Sequence, residues 1–199
     1  QMLNMQINCW FGGVVVGWMN YFTFLIIAVF ISGLMVGRTP EFLGHKVEAR
    51  EMKIATMVVL LHPFLILVGT GVSAFIASGN PNIGWLNNPS FHGLSEMLYE
   101  YTSAAANNGS GFEGLGDNTP FWNITTGIVL IMGRYFPIVG QVAIAGLLAN
   151  KKYIPESAGT LRTDTGTFSL MTFAVIVIVA ALSFFPALAL GPIADYLSI

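Results

Sequence analysis

Long apolar stretches, interrupted by short charged segments, are the main pattern along the chain. Three stretches contain no Asp, Glu, Lys or Arg: Gln1–Gly37, Ile54–Ser95 and Thr165–Ala194. A helix needs about 20 predominantly apolar residues to cross a bilayer. The pattern therefore predicts an all-α membrane protein with four spanning helices, at Tyr21–Val36 extended by Trp18–Asn20, Ile54–Ala77, Phe121–Leu148 and Phe168–Leu190.

The basic residues predict how these helices are oriented. Apart from Arg134, the Lys and Arg residues lie in two segments, Arg38–Lys53 and Lys151–Asp164. The positive-inside rule places both segments in the cytoplasm. The segment Ser78–Pro120 has no Lys or Arg and is expected on the outer side. Its acidic residues either concentrate cations at a pore mouth or belong to an ordinary solvated loop; they are Glu96, Glu100, Glu113 and Asp117.

Part of the outer segment is typical of a re-entrant pore loop. Ser95–Ala106 contains good helix formers, with Ser95 as the expected N-cap. A helix of this length reaches only about 18 Å, roughly half the bilayer. The polar, glycine-rich segment Asn107–Gly111 follows it. Irregular backbone at membrane depth is tolerated only where it lines a cavity or is buried in protein.

The chain matches itself at an offset of 96 residues. Gly13 aligns with Gly109, and the pair Gly37-Arg38 aligns with Gly133-Arg134. Gln1–Trp10 is then expected to be a short half-helix that precedes the glycine cluster Phe11–Gly17. The predicted unit is therefore a half-helix, a filter-like loop and a spanning helix, and such repeats mark where a transport site lies.

The two loops have the chemistry of a potassium site. Backbone carbonyls can replace the hydration shell of K⁺ without fixed anionic charge, and glycine lets successive carbonyls point the same way. Neither Phe11–Gly17 nor Asn107–Phe112 contains Asp or Glu, and divalent cations need clustered carboxylates. The alternative for the glycines is close helix packing, which suits Gly13 and Gly17 better than the amide-rich second loop.

Two further polar residues lie within predicted spans. Arg134 is expected to act in gating or coupling, to meet a partner subunit, or to snorkel to the inner interface. His62, which precedes Pro63, is expected to be a hydrogen-bonded core histidine in a kinked helix rather than a proton relay.

The composition is also typical of a membrane protein. Only 9% of the residues are charged and the mean hydropathy is +0.70, whereas soluble domains carry about 25% charged residues. The net charge of −2 gives no reason to expect a nucleic-acid partner. The lone cysteine, Cys9, excludes an internal disulfide and is expected to be a packing residue. No catalytic motif is present, so the chain is not expected to be an enzyme by itself.

Several long segments carry a resemblance that covers essentially the whole chain. They are Gly37–Glu48 with Arg50–Lys53, His92–Glu96, Ser103–Gly111, Asp117–Asn123, Ser157–Leu161 and Pro186–Ala194. These segments resemble the potassium-binding A subunit (KdpA) of the Kdp potassium-transporting P-type ATPases. The resemblance implies a fold of four pore-loop repeats around one pathway, as in a superfamily of potassium transporters.

The resemblance also implies a division of the chain. Residues 1–53 are expected to hold the end of the third repeat with its cytoplasmic loop, and residues 54–164 the fourth repeat with its own. Residues 165–199 are expected to form a C-terminal transmembrane helix. The first two repeats are absent from the sequence, which starts at Gln1, so the chain is expected to be the C-terminal portion of a longer protein.

The implied function is potassium binding and pore formation in an ATP-driven, high-affinity import complex. A separate P-type subunit would hydrolyse ATP, small accessory membrane subunits would complete the complex in the bacterial inner membrane, and no cofactor is implied beyond the transported K⁺. Arg38 and Arg134 match family arginines and are expected to act in gating or coupling. The implied potassium-binding filter positions, acting through backbone carbonyls, are Gly12, Gly13, Val14, Asn107, Asn108, Gly109 and Ser110.

One departure and two alternatives qualify this expectation. The family's third filter usually reads GGVGxG, and Val15 replaces the glycine after the valine. A β-branched residue does not adopt positive φ cheaply, so affinity or selectivity depends on whether the Val15 carbonyl must face the pore. The alternatives are a passive channel or symporter subunit of the Trk/Ktr kind, or a membrane fragment without an ion site.

Overall fold

The computed structural model describes residues 1–80, 82–88, 90–155, 157, 159–183 and 185–198. Phe184 of the predicted last span and Ala158 of one motif lie outside these residues. The described part contains helices α1 to α7 and a two-stranded antiparallel hairpin, β1–β2. Their bounds are α1 Met2–Ile7, α2 Val16–Val36, β1 Glu41–Phe42, β2 His45–Lys46, α3 Ala49–Gly79, α4 His92–Ala106, α5 Pro120–Ala149, α6 Gly166–Ser183 and α7 Phe185–Leu197.

Among the described residues, four helices, α2, α3, α5 and α6, are long and apolar enough to cross a membrane. This confirms the predicted number and the positions of the first three spans. Helix α3 begins five residues before the predicted Ile54, because a capping box stabilises its charged first turn. In that box the Glu51 carboxylate accepts the backbone N–H of Glu48 at 2.8 Å.

The predicted last span, Phe168–Leu190, falls on two described helices, α6 and α7. They lie on either side of Phe184, which is outside the described residues, so the continuity of this span stays a prediction. Helix α7 packs against α4 and α6.

Helix α4 ends at the predicted residue but begins before the predicted one. Its first residue is His92, Phe91 occupies the N-cap position, and no side chain caps it, so the prediction of Ser95 as N-cap is wrong. Glu96 instead binds the preceding loop, accepting the backbone N–H groups of Asn87 at 3.1 Å and Asn88 at 3.0 Å. These bonds fold the loop back onto α4 and allow the helix to start one turn earlier.

Helix α4 lies against both α3 and α5, and its buried side chains belong to the core between them. Glycines permit the close approach: a Cβ at Gly69 of α3 would lie 2.7 Å from Cγ of Tyr101, and one at Gly133 of α5 would overlap the Ala105 carbonyl. The Tyr101 hydroxyl donates to Thr125 of α5 at 2.9 Å and accepts from Ser73 of α3 at 3.0 Å. Helix α4 is thus held on two sides.

The two basic loops, predicted to share one side of the membrane, contact each other. Arg38 donates to the Thr160 carbonyl at 3.0 Å. Lys151 bonds the buried Glu51 carboxylate at 2.8 Å. We call this set of contacts between residues 38–51 and 151–160 the loop clasp. Burial opposes the charge on Lys151, but the hydrogen bonds and negative charges of Glu51 and Glu48 together outweigh this effect, and the pKa of Lys151 is raised.

Candidate functional site

The C-terminus of α4 carries the second candidate loop, and its backbone conformation is specified locally. Asn107 adopts the left-handed conformation, with φ 62°, which asparagine tolerates better than most residues. Its N–H donates to the Ala104 carbonyl at 3.1 Å, and the N–H of Asn108 donates to the Ser103 carbonyl at 2.9 Å. This pair of bonds is a Schellman motif, which ends the helix and turns the chain.

Beyond this turn, the loop leaves backbone carbonyls unused. Within the described part of the chain, the carbonyl oxygens of Asn108, Gly109 and Ser110 accept no hydrogen bond. Gly109 has φ +72°, and a Cβ added to it would meet nothing within 4 Å. Gly109 is therefore not a packing glycine in this structure, and its neighbouring carbonyls are available to a ligand.

The first candidate loop lies against the second. The N–H of Gly12 donates to the Ala106 carbonyl, the last of α4, at 3.1 Å. The buried Asn20 of α2 donates to the Phe11 carbonyl at 2.8 Å and so ties this loop to its own spanning helix. The structure thus brings the two loops together at the C-terminal end of α4.

Unlike the second loop, the first loop is closely packed around Gly13 and Gly17. A Cβ at Gly13 would lie 3.1 Å from Nη1 of Arg134, and one at Gly17 would lie 2.9 Å from the Trp10 carbonyl oxygen. The Gly13 carbonyl accepts the N–H of Gly17 at 3.1 Å. These contacts agree with the packing alternative for Gly13 and Gly17.

Arg134 faces the two loops from α5. Its Nη1 lies 3.4 Å from Oδ1 of Asn107, and its guanidinium covers the position where a Gly13 side chain would stand. The positive charge therefore sits beside the C-terminus of α4, where the helix dipole favours a cation. Because its partners are protein groups beside α4, the structure supports pairing inside the protein rather than snorkelling.

The other predicted residues of the first loop are exposed or strained. Val14 is 82% exposed. Val15 has φ 73° and ψ −47° and stands at the N-cap position of α2. The positive φ is costly for a β-branched residue, by roughly 1–3 kcal/mol. Its carbonyl accepts the N–H of Met19 at 3.0 Å, so that group points along α2.

Arg38 and the acidic outer residues make different contacts from Arg134. Arg38 follows the C-cap of α2 and belongs to the loop clasp, so the structure does not place it with Arg134. Glu96 is buried and accepts the backbone N–H groups of Asn87 and Asn88. Burial raises the pKa of Glu100, and the negative charge of Asp117 raises it further. The carboxyl groups of Glu100 and Asp117 are therefore close enough for their charges to interact.

Two side chains with other predicted roles lie in the core. His62 is buried and its ring stacks on Phe11 at 4.0 Å between centroids, which agrees with the predicted core position. Cys9 is also buried, and burial raises the pKa of its thiol to about 11.

Sequence reasoning missed the side chains that hold the second loop. Tyr99 and Ser103 of α4 both reach Ser110, with Tyr99 Oη and Ser103 Oγ each 3.1 Å from Ser110 Oγ. The available signal was the spacing of four residues between Tyr99 and Ser103, which places both on the loop side of one helix.

The family model described as "Potassium-transporting ATPase A subunit" matches residues 1–197. The chain is 76% identical to the potassium-transporting ATPase potassium-binding subunit of Phocaeicola vulgatus, 75% to that of Parabacteroides distasonis and 66% to that of Flavobacterium johnsoniae. Each alignment covers 100% of this chain and 36% of the relative, so the chain spans about a third of the length of these relatives.

Proposed function

The chain belongs to the potassium-transporting ATPase A subunit (KdpA) family, and from this premise we propose that it is part of a potassium-binding, pore-forming subunit. The subunit would act in an ATP-driven, high-affinity import complex of a bacterial inner membrane. Its catalytic P-type ATPase subunit and small accessory membrane subunits would be separate chains. The family match favours this function over the passive Trk/Ktr-type alternative.

The observation that supports the proposal most is the set of unused carbonyls in the second loop. These carbonyls belong to Asn108, Gly109 and Ser110. They lie at the C-terminal end of α4, where the helix dipole favours a cation. Stripping water from K⁺ requires several such oxygens, and these need no fixed negative charge. We assign ion binding to the backbone carbonyls of Asn107, Asn108, Gly109 and Ser110.

The ion-binding role predicted for Gly13 has less support, and the roles of Gly12 and Val14 stay predictions. The Gly13 carbonyl is engaged by the Gly17 amide, and an arginine covers Gly13. In our proposal the first loop mainly positions Arg134, whose charge beside Asn107 would limit how far a potassium ion travels past the loop. Arg38, in the loop clasp, would act in coupling rather than at the ion.

The division of the chain into repeats is also part of our proposal. Helix α4, the loop 107–119 and helix α5 have the order expected of a pore-loop repeat, as do α1, residues 8–15 and α2. We propose that residues 1–53 and 54–164 belong to the third and fourth repeats, with residues 165–199 as a C-terminal element. The four-repeat pathway would then require the remaining length of the subunit.

The test is potassium-stimulated ATP hydrolysis by a complex whose full-length A subunit contains these residues. Gly109→Ser is compared with Gly84→Ser, because both glycines have nearly the same φ, +72° and +70°, and both have open space around them. Forcing a side chain into this conformation costs roughly 1–2 kcal/mol, or about a 5- to 30-fold change in an equilibrium constant.

We expect Gly109→Ser to weaken the apparent potassium affinity by about tenfold, within the range of that strain. Gly84→Ser should leave the affinity unchanged, because Gly84 lies in the outer loop before α4. Equal potassium dependence in the two variants would refute the assignment of the second loop.

A further inference from the structure

Three hydroxyl groups behind the second loop form a connected hydrogen-bond network. The backbone N–H of Ser110 donates to Ser103 Oγ at 2.8 Å, and the two serine hydroxyls lie 3.1 Å apart. Tyr99 Oη lies 3.1 Å from the same Ser110 hydroxyl. Tyr99 and Ser103 are 3% and 1% exposed. We propose that Tyr99 and Ser103 are specificity-determining positioning residues, which hold Ser110 and thereby set the spacing of the loop carbonyls.

The network is anchored on a rigid element. Tyr99 and Ser103 are four residues apart on α4, so their side chains leave the same face of the helix. The Tyr99 ring also stacks on Phe112 with 4.4 Å between ring centroids, which fixes the direction of its hydroxyl. Hydroxyl groups on such a support hold their partner in one position rather than following its motion.

The network attaches the second side of the loop, and the Schellman turn attaches the first. Asn108 is bonded to the Ser103 carbonyl and Ser110 to the Ser103 hydroxyl. Gly109 is left between these two attachments, with open space around it. The distance between the carbonyls on either side of Gly109 is therefore set by Ser103, and Tyr99 prevents Ser110 from rotating away.

Such positioning matters for selecting one alkali ion over another. K⁺ and Rb⁺ carry the same charge and differ in radius, so a carbonyl site distinguishes them through the number, spacing and stiffness of its oxygens. Loosening Ser110 would let the carbonyls adapt to either ion. This inference rests on the proposed function, because it requires that the second loop binds the ion.

The chain offers a matched control two residues further along α4. Tyr101 is also buried, and its hydroxyl is also hydrogen-bonded, but its partners are Ser73 and Thr125 of the spanning helices. Tyr99→Phe and Tyr101→Phe each remove one buried hydroxyl from the same helix. Only the first removes a hydroxyl that contacts the loop.

The experiment measures the apparent affinities for K⁺ and Rb⁺ in ATP hydrolysis by the full complex. We expect Tyr99→Phe to change the ratio of the two affinities by about threefold to tenfold, the size of one lost hydrogen bond. Tyr101→Phe should leave the ratio within about twofold of the unmodified complex, even if it lowers thermal stability as much.

Two further variants test the pathway through Ser110. Ser110→Ala should change the ratio at least as much, because it also removes the contact with Ser103 Oγ. Combining it with Tyr99→Phe should add nothing, because Tyr99 acts through the Ser110 hydroxyl. Fully additive effects of Tyr99→Phe and Ser110→Ala would overturn the inference.

The outcome with Gly109→Ser separates this inference from the proposed function. If Gly109→Ser leaves the potassium affinity unchanged, the second loop does not bind the ion and both proposals fail. If Gly109→Ser weakens potassium binding but Tyr99→Phe and Ser110→Ala leave the K⁺/Rb⁺ ratio unchanged, the proposed function stands and the positioning role is refuted.

Discussion

The close contact between α5 and α4 predicts that Gly133 tolerates no side chain. An added Cβ would overlap the Ala105 carbonyl oxygen and lie 3.2 Å from its carbonyl carbon and 3.3 Å from its Cα. Carbon atoms in good contact are about 3.5–4.0 Å apart, so the helices must separate by roughly 0.5 Å or more. The obstacle is backbone, which cannot swing aside as a side chain would. Overpacking of this kind costs about 1–3 kcal/mol.

Gly127 of the same helix is the control for Gly133→Ala, because a Cβ there meets nothing within 4 Å. Both Gly→Ala changes improve helix propensity by about 1 kcal/mol. The difference in the free energy of unfolding between the two variants therefore measures the overpacking alone. It should be about 1–3 kcal/mol, with Gly133→Ala the less stable variant.

The assay is thermal unfolding of the purified full-length complex in detergent at one heating rate, with the potassium dependence of ATP hydrolysis measured in parallel. Gly133→Ala should lower the apparent Tm relative to Gly127→Ala. It should also weaken potassium binding, since Ala105 lies two residues before Asn107. Equal Tm values and equal potassium affinities would show that α4 and α5 do not approach this closely.

Two further predictions concern the loop clasp and the first loop. Lys151→Met should destabilise the subunit by about 2 kcal/mol, because the substitution leaves the buried Glu51 carboxylate without its cation. This is less than the loss from breaking a fully buried ion pair, since Lys151 is partly exposed. Lys152→Met, at the exposed neighbouring position, should change the apparent Tm little. A larger loss of Tm in Lys152→Met than in Lys151→Met would contradict the loop clasp. Cys9 should react slowly with a maleimide at pH 7, because it is buried and its thiol pKa is about 11. Labelling measured by peptide mass spectrometry should become fast only on unfolding in dodecyl sulfate, and fast labelling of the folded complex would contradict the burial of Cys9.

The spanning helices could be predicted because their signal is local. The lengths of the apolar runs and the absence of charge in them were enough for α2, α3 and α5. The start of α4 could not be predicted from Ser95, because the Glu96 side chain, which binds Asn87 and Asn88, shapes the preceding loop.

The candidate site was predicted in composition but not in arrangement. The glycines and amides of the second loop are visible in the sequence, and so is the cost of Val15 at positive φ. Whether a glycine faces open space, as Gly109 does, or an arginine, as Gly13 does, depends on residues far away in the chain. The hydroxyl network of Tyr99 was missed because its partner, Ser110, lies beyond a turn whose direction is set by the Schellman motif.

The loop clasp gives the middle of the chain a ring-like topology. Its contacts join Arg38 to Thr160 and Glu51 to Lys151, so the segment that runs through α3, α4 and α5 begins and ends at the same place. A single cut in the loop between α3 and α4 would leave two pieces that remain joined at the clasp and along the α3–α5 contact. The segment thus has the form of a unit that could be circularly permuted, with new termini in that loop and the old ones linked at the clasp.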